Sequence, residues 1–485
     1  MTKSSLSSKA LVFLVILASV FSLTPLHYQF LKEKRDIYKD TQYWFKNQLI
    51  DHFNPLDKRT FEQRYWINAN NYAPAKGNII LDLCGEGPCS GAGDRSSYIN
   101  TVAAATRALV ISLEHRYYGL SVPFGKDSIT VENMKYLTVE QALEDTANFI
   151  NWVNANNTAV KITPNAKWIV VGGSYAGALS AWFRLKYPHL VVGSWASSPV
   201  INAILEFDTF DYHVFLATNK SSPQCPATIQ NLTAYLEWNL YQNGSQWAQT
   251  FKAKFNAQNL TNEEFLWYIA DNIGMTVQYG SRLELCNTLL KYNNFNDLFN
   301  AFVEMMNTGP FPPKYYSHIF LNDNTWDPNT AFIKLWNYQV CTQVGWFQPP
   351  YHDSRYATRS QHVSMSFFKL FCEQSFQKPL WPDVDAFNNE FGGRDIDSSN
   401  TVLINASEDP WLWASNTNST NPSVSSYTAT CDWCGHCIDL SAPSTRDPAS
   451  LTTVRAKILA NITQWFASPN ESPSKPERGF LSIEI

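Results

Sequence analysis

The stretch Trp168-Ile-Val-Val-Gly-Gly-Ser-Tyr-Ala-Gly177, continued by Ala178-Leu-Ser-Ala-Trp-Phe-Arg-Leu-Lys-Tyr187, constrains the fold of this chain more than any other. Trp168 to Val171 is a short apolar run, the pattern of a buried strand. Ala178 to Tyr187 is rich in Ala, Leu, Arg and Lys and predicts a helix. Gly172 and Gly173 permit a sharp turn between the two. Such a turn lifts the hydroxyl of Ser174 clear of the strand end and aims the first helical amides at the same point. Ser174 is therefore the candidate nucleophile. The pattern Gly-x-Ser-x-Gly is met in part: Ala176 stands where the second glycine is usual, and Gly177 comes one position late. Ala is small enough for close strand–helix packing. A plain tight loop between strand and helix has the same appearance, so the flanking chain has to decide.

The flanks read as alternating strands and helices. Asn78 to Leu83 and Ala108 to Leu113 are buried-type strands, Thr60 to Trp66 an edge strand, and Val191 to Ser198 the strand after the serine turn. Thr138-Val-Glu-Gln141 is a capping box, and the helix it opens places Val139, Leu143, Ile150 and Val153 on one face. This alternation predicts a parallel, helix-covered sheet, and with the serine turn an α/β-hydrolase core. From about residue 205 to 395 the periodicity becomes mainly helical, with prolines at the joins. That segment is expected to be an inserted helical cap. It divides the core into residues 45–204 and 396–467, and the tail at 468–485 has the composition of a disordered segment.

In this fold the acid follows the serine and the histidine follows the acid. The sheet resumes at Thr401 to Asn405, and Glu408 and Asp409 lie just past it. Asp409 is preferred because Pro410 stiffens the turn after it. Among nine histidines only His436 follows Asp409, which singles it out as the base. The second part of an oxyanion hole is expected in the glycine-rich loop Cys84-Gly-Glu-Gly-Pro-Cys89, from the amide of Gly85 or Glu86, with the amide of Tyr175 as the first. A Cys84–Cys89 disulfide is compatible with that role. His115, at the end of another strand, reads as structural, hydrogen-bonded by neighbours such as Glu114. Asp447, followed by Pro448, is expected to cap a last helix whose apolar face is Leu451, Val454, Ile458, Ile462 and Trp465.

Composition bounds the setting. Hydrophobic residues make up 45% and charged residues 16%, with a net charge of −5 and no basic run, so nucleic acid is not an expected partner. Lys3 and Lys9 followed by the apolar run Ala10 to Leu23 read as a signal peptide over residues 1–22, too short to span a membrane. No stable membrane span is expected after its removal. Sequons at Asn156, Asn219, Asn231, Asn243, Asn259, Asn418 and Asn461 are glycosylation candidates; Asn470 also matches, and Asn405 falls in a predicted buried strand. Nine cysteines fit disulfides in an oxidising compartment and leave at least one without an intramolecular partner. Cys431, Cys434, His436 and Cys437 also resemble a zinc cluster, but ligands packed this tightly rarely reach one ion. No metal and no other cofactor is expected. A homodimer is compatible with the chain, whose oligomeric state the sequence leaves open.

Gly-Gly-Ser-Tyr-Ala-Gly (172–177), Glu-His-Arg-Tyr-Tyr-Gly (114–119), Asp-His-Phe-Asn (51–54), Asp-Pro-Trp (409–411) and Gly-His-Cys-Ile-Asp (435–439) together resemble the S28 serine peptidases. The similarity runs from about residue 45 to 467 and is nearest the thymus-specific branch. It implies an α/β-hydrolase with a helical cap. It further implies serine exopeptidase activity on peptides, often beside proline, in lysosomes or outside cells, with Ser174, Asp409 and His436 as the triad. The chain departs from the family at Gln343, where an acidic residue is common and would help hold a peptide ammonium. Two other classes remain as alternatives: an esterase or lipase, whose cap would carry an apolar lid, and a non-catalytic binding protein, which usually lacks a triad member.

Overall fold

The computed structural model describes residues 42–92, 97–156 and 160–468. The segment 1–22 expected to be a signal peptide, the tail beyond 468, Asn470 and the side chain of Asn156 lie outside the described residues. Eight strands form one sheet in the order β1-β2-β4-β3-β5-β6-β9-β10. They are β1 (Gln42–Leu49), β2 (Thr60–Asn68), β3 (Asn78–Leu83), β4 (Leu109–Leu113), β5 (Lys167–Gly173), β6 (Gly193–Ser197), β9 (Thr401–Ala406) and β10 (Val424–Ala429). β1 and β2 pair antiparallel with each other, as do β2 and β4; every other pairing is parallel. This is an α/β-hydrolase core.

Alternation along the central strands assigns the two faces. Ile79, Leu81, Leu109, Ile111, Trp168 and Val170 point to one cluster, with the helices Val139–Asn156 and Tyr175–Lys186. Ile80, Val110, Ile169, Val171, Trp195, Val402 and Ile404 point to the other, under the helices Tyr98–Thr106 and Ala449–Ala467. Both faces are therefore apolar, which is why these strands read as continuous hydrophobic runs. The last helix buries Leu451, Val454, Ile458, Ile462 and Trp465 as its spacing predicts.

Several local expectations are corrected. The edge of the sheet is β1, so Gln42 to Trp44 are strand residues and β2 is an inner strand. The other edge, β10, carries polar Ser425, Ser426 and Thr428, and its composition hides it. Thr138 does accept from the Gln141 amide at 3.3 Å, but the Gln141 side chain turns away to Asp51 and to the amide of His52. A complete capping box occurs instead at Thr261 and Glu264. Pro448, not Asp447, precedes the last helix; the Asp447 carboxylate pairs with Arg455 in its second turn.

Between β6 and β9 the chain is mainly helical. A short parallel pair, β7 (Ile204–Glu206) with β8 (Gly345–Phe347), ties its start to its later half. Cys225–Cys286 and Cys341–Cys372 cross-link this region, and Cys84–Cys89 and Cys431–Cys434 close loops of the core. Cys437 is unpaired. Asn219, Asn231, Asn243, Asn259 and Asn418 are exposed, Asn461 is half-buried, and Asn405 is buried in β9. No helix among the described residues is long and apolar enough to cross a membrane.

Candidate active site

Every chemistry-bearing residue named from the sequence lies past the carboxyl end of a parallel strand, where open α/β sheets place their sites. β5 ends at Gly173, and Ser174 follows with φ +60° and ψ −126°. A serine in that region stores backbone strain of about 1–3 kcal/mol. The conformation is held by the Ser174 amide donating to the Ser197 carbonyl at 2.9 Å and by the Ala178 amide donating to the Ser174 carbonyl at 3.0 Å.

The irregular serine motif has a steric explanation. A β-carbon on Gly172 would lie 2.2 Å from the Ala176 carbonyl oxygen, and one on Gly177 would lie 2.5 Å from the Ser197 carbonyl oxygen. These are the two positions where the helix presses on the sheet. Position 176 needs no glycine: the Ala176 methyl packs 3.4 Å from where a β-carbon on Gly85 would stand. The late glycine is thus the one that makes the close helix–strand contact.

β9 leads into Asp409, which is fully buried. One carboxylate oxygen accepts from the Trp411 amide at 3.0 Å, with Pro410 opening the short helix that presents it. The other oxygen lies 2.7 Å from His436 Nδ1. Glu408 has a different task. It binds Arg282 Nε at 2.6 Å and Lys220 Nζ at 2.9 Å, both from the inserted helical region. Arg282 and Glu408 are each 2% exposed at the side chain. Breaking a buried pair of this kind strands a charge and costs about 3–5 kcal/mol. Glu408→Ala is accordingly expected to lower the midpoint of thermal unfolding by several degrees, whereas an unchanged midpoint would mean that Ser221 and Asp432, which accept from the other two Arg282 nitrogens at 2.7 and 2.8 Å, suffice.

His436 lies beyond β10, just after the short loop closed by the Cys431–Cys434 disulfide. Its amide donates to the Gln278 carbonyl at 2.7 Å. Its Nε2 is buried without a protein partner. Burial disfavours the imidazolium, but the Asp409 carboxylate and then Cys437 outweigh it, so the ring titrates well above its ordinary value. The next residue, Cys437, reaches the serine turn: a β-carbon on Gly173 would lie 3.0 Å from its Sγ. The His436 loop and the Ser174 turn therefore lie side by side. Cys431 and Cys434 are spent on each other, which removes half of the zinc reading; no group of three or more ligands converges among the described residues.

The loop after β3 lies over the start of the serine helix, with the β-carbon position of Gly85 3.6 Å from the Ala176 amide nitrogen. Burial raises the Glu86 carboxyl, offset in part by a hydrogen bond from its own amide and by His436. His115 is not held by Glu114, as expected, but by Arg116 and Tyr175. Glu114 instead binds Arg64 and the amides of Cys89, Leu120 and Ser121. Gln343 is likewise occupied, with its oxygen on the Val139 amide at 3.0 Å and its nitrogen on Glu140 at 3.0 Å, so it acts as a helix cap.

Two features escaped the sequence reading. Gln278, at the end of the helix Asn262–Gln278, braces the Asp409 and His436 loops: its carbonyl takes the His436 amide and its Oε1 takes Trp411 Nε1 at 2.9 Å. No local signal marks it. An arc of rings runs from the serine side to the acid side: Tyr175 to Trp336 at 5.5 Å, Trp336 to Trp346 at 5.9 Å, Trp346 to Trp411 at 5.8 Å, and Trp411 to His436 at 6.4 Å. A π-helical turn at Val340–Val344 and a positive φ at Trp346 bend the chain into this arc. Departures of that kind recur at functional sites.

A family model described as serine carboxypeptidase S28 matches residues 48–458. A probable serine protease of Arabidopsis thaliana, EDA2, is 35% identical over 453 residues, covering 88% of this chain and 89% of its own. The thymus-specific serine protease of Homo sapiens is 27% identical over 460 residues, with 89% and 88% covered. The lysosomal Pro-X carboxypeptidase of Bos taurus is 28% identical over 450 residues, with 87% of each chain covered. With more than four-fifths of its length matched, the chain belongs to the serine carboxypeptidase S28 family and is a serine exopeptidase.

Proposed function

We propose that Ser174, Asp409 and His436 are the catalytic triad and that the enzyme removes residues from an end of proline-containing peptides through an acyl-enzyme. The observation that carries this reading is His436: Nδ1 sits 2.7 Å from Asp409, Nε2 is buried and unpartnered, and the adjoining Cys437 abuts the serine turn. Asp409 keeps the proton on Nδ1, which leaves Nε2 free to accept one. His436 takes the Ser174 hydroxyl proton as Oγ bonds to the scissile carbonyl, then returns it to the departing amine. A water repeats the sequence on the acyl-enzyme and regenerates the serine. The amide of Tyr175, with that of Gly85 or Glu86, holds the oxyanion. The first amides of a helix lack intrahelical acceptors, which suits Tyr175 to the task.

The aromatic arc of Trp336, Trp346 and Trp411 supports a preference for proline, whose flat apolar ring packs on indole faces and has no amide hydrogen to satisfy. Residues 205–395 act as the cap over this pocket. The four disulfides and exposed sequons support a glycosylated enzyme of the secretory route, delivered to lysosomes or the exterior after signal-peptide removal.

The test is a product analysis. One proline-containing peptide is presented free, N-terminally blocked and C-terminally amidated, to the enzyme and to Ser174→Ala. Hydrolysis by the wild type alone is expected, starting at a single terminus. Cleavage of the blocked but not the amidated peptide assigns a carboxypeptidase, and the reverse assigns an aminopeptidase or dipeptidyl peptidase. Equal products from both proteins would overturn the triad.

A further inference from the structure

The motif Glu114 to Gly119 takes no direct part in the reaction just described, yet it reaches the residue beside the nucleophile. His115 Nδ1 lies 2.7 Å from the Arg116 carbonyl oxygen, which can only accept. Nδ1 therefore carries the ring proton and Nε2 is bare. Nε2 lies 3.1 Å from the Tyr175 hydroxyl, so Tyr175 donates. With its hydrogen spent, the Tyr175 oxygen accepts, and Gln339 Nε2 donates to it at 2.8 Å. That orientation turns Gln339 Oε1 toward the Tyr118 hydroxyl, which donates at 2.6 Å. One tautomer thus sets every donor and acceptor along the chain.

The chain is buried throughout. His115 is 5% exposed, and Tyr118, Tyr175 and Gln339 are fully buried. Burial holds the His115 pKa down at about 4, which keeps the ring neutral and Nε2 an acceptor. One end is rigidly mounted: Arg116 binds both Asp145 oxygens, at 2.7 and 2.6 Å, and the carbonyls of Leu49, Ile50 and Tyr136. At the other end, Gln339 leads directly into the π-helical turn that shapes the aromatic arc.

We propose that this chain is a positioning device: His115, Gln339 and Tyr118 lock the Tyr175 side chain so that its backbone amide stays aimed at the oxyanion. The proposal rests on the reading of Tyr175 as an oxyanion donor and of Ser174 as nucleophile. Ser174 is held at positive φ, and Tyr175 is the next residue, so the amide between them is set by a strained turn. A side chain anchored on two sides keeps that amide from relaxing. The benefit falls on the transition state, where the oxyanion exists, and not on the bound peptide.

The test compares His115→Phe, Tyr175→Phe and His115→Gln with the wild type. Phe at 115 keeps the volume and removes the acceptor; Gln restores an oxygen near the Nε2 position. His115→Phe and Tyr175→Phe are expected to lower kcat roughly ten- to a hundredfold, because a misplaced donor loses most of its effect. KM should stay within about threefold, since ground-state binding does not use the oxyanion amide. A prolyl boronic acid, which forms a tetrahedral adduct, should lose affinity by the same factor as kcat, and the product peptide should not. His115→Gln should recover most of the lost kcat. If His115→Phe does not accumulate, Gln339→Met cuts the chain at its other side and is read the same way. Ser174-dependent hydrolysis with kcat unchanged in these variants, and only a lowered unfolding midpoint, would overturn the proposal alone. Absence of Ser174-dependent hydrolysis in the wild type would overturn the triad reading, and this one with it.

Discussion

Ser174→Ala is expected to lower kcat for peptide hydrolysis by roughly a millionfold, to the level left by substrate binding and the oxyanion donors alone. In the proposed mechanism the hydroxyl is the atom that attacks. The fold should be untouched, because the backbone bonds from Ser197 and Ala178 that hold the turn do not involve the side chain. A companion variant reads the strain separately. Ala at φ +60° is as strained as Ser, whereas Gly is at ease there. Ser174→Gly should therefore unfold at a higher temperature than Ser174→Ala, by an amount reflecting about 1 kcal/mol after the glycine entropy cost. Steady-state assays and thermal unfolding measure the two effects. Residual Ser174→Ala activity within a hundredfold of wild type would remove Ser174 from the nucleophile's role.

Asp409→Asn is expected to lower kcat by roughly ten-thousandfold through the tautomer of His436. The asparagine oxygen can still accept from the Trp411 amide, which leaves the NH2 group facing Nδ1. Nδ1 must then be the acceptor, the ring proton moves to Nε2, and the base can no longer take the serine proton. The pH profile should move as well. Only neutral His436 is a base, so activity appears as pH rises through its pKa. In the wild type burial pulls that pKa down, but the Asp409 carboxylate overrides it, so the acid limb of kcat/KM lies above the ordinary histidine value of about 6.5. Without the carboxylate, burial acts with less opposition and the limb shifts to lower pH. The same linkage bears on stability: the His436–Asp409 ion pair stabilises the fold below the unfolded-state pKa, and this contribution is lost as pH rises through the folded one. A limb that does not move in Asp409→Asn would mean that another group governs it.

Much of the candidate site is legible because its signals are short-range. Trp168 to Tyr187 is a strand, a turn and a helix in continuous sequence, and each step follows from side-chain type. Chain order singles out His436 from nine histidines without any geometry. The choice of Asp409 over Glu408 rests on Pro410, and the structure gives Glu408 to Arg282 and Lys220 instead. Where neighbours in space are distant in sequence, legibility fails. His115 is read as held by neighbours such as Glu114; one neighbour, Arg116, does hold Nδ1, but Nε2 meets Tyr175, sixty residues on. β10 is missed because an edge strand needs no apolar run. Ala176 looks like a defect in the motif until Gly177 is seen pressed against the Ser197 carbonyl.

What the sequence by itself determined is the candidate chemistry and its order: a serine on a sharp turn, a late acid, one remaining histidine, and an apolar parallel sheet to carry them. Turn geometry, strand burial and chain order are properties of contiguous residues, so they can be read in one dimension. What only the tertiary structure decided is the surroundings: the brace from Gln278 to the Asp409 and His436 loops, the aromatic arc, and the hydrogen-bonded chain behind Tyr175. Each includes a contact between residues far apart in sequence: Gln278 with Trp411, Tyr175 with Trp336, and Tyr175 with Gln339. Such contacts form only when the inserted helices fold back over the sheet, and no local pattern records them.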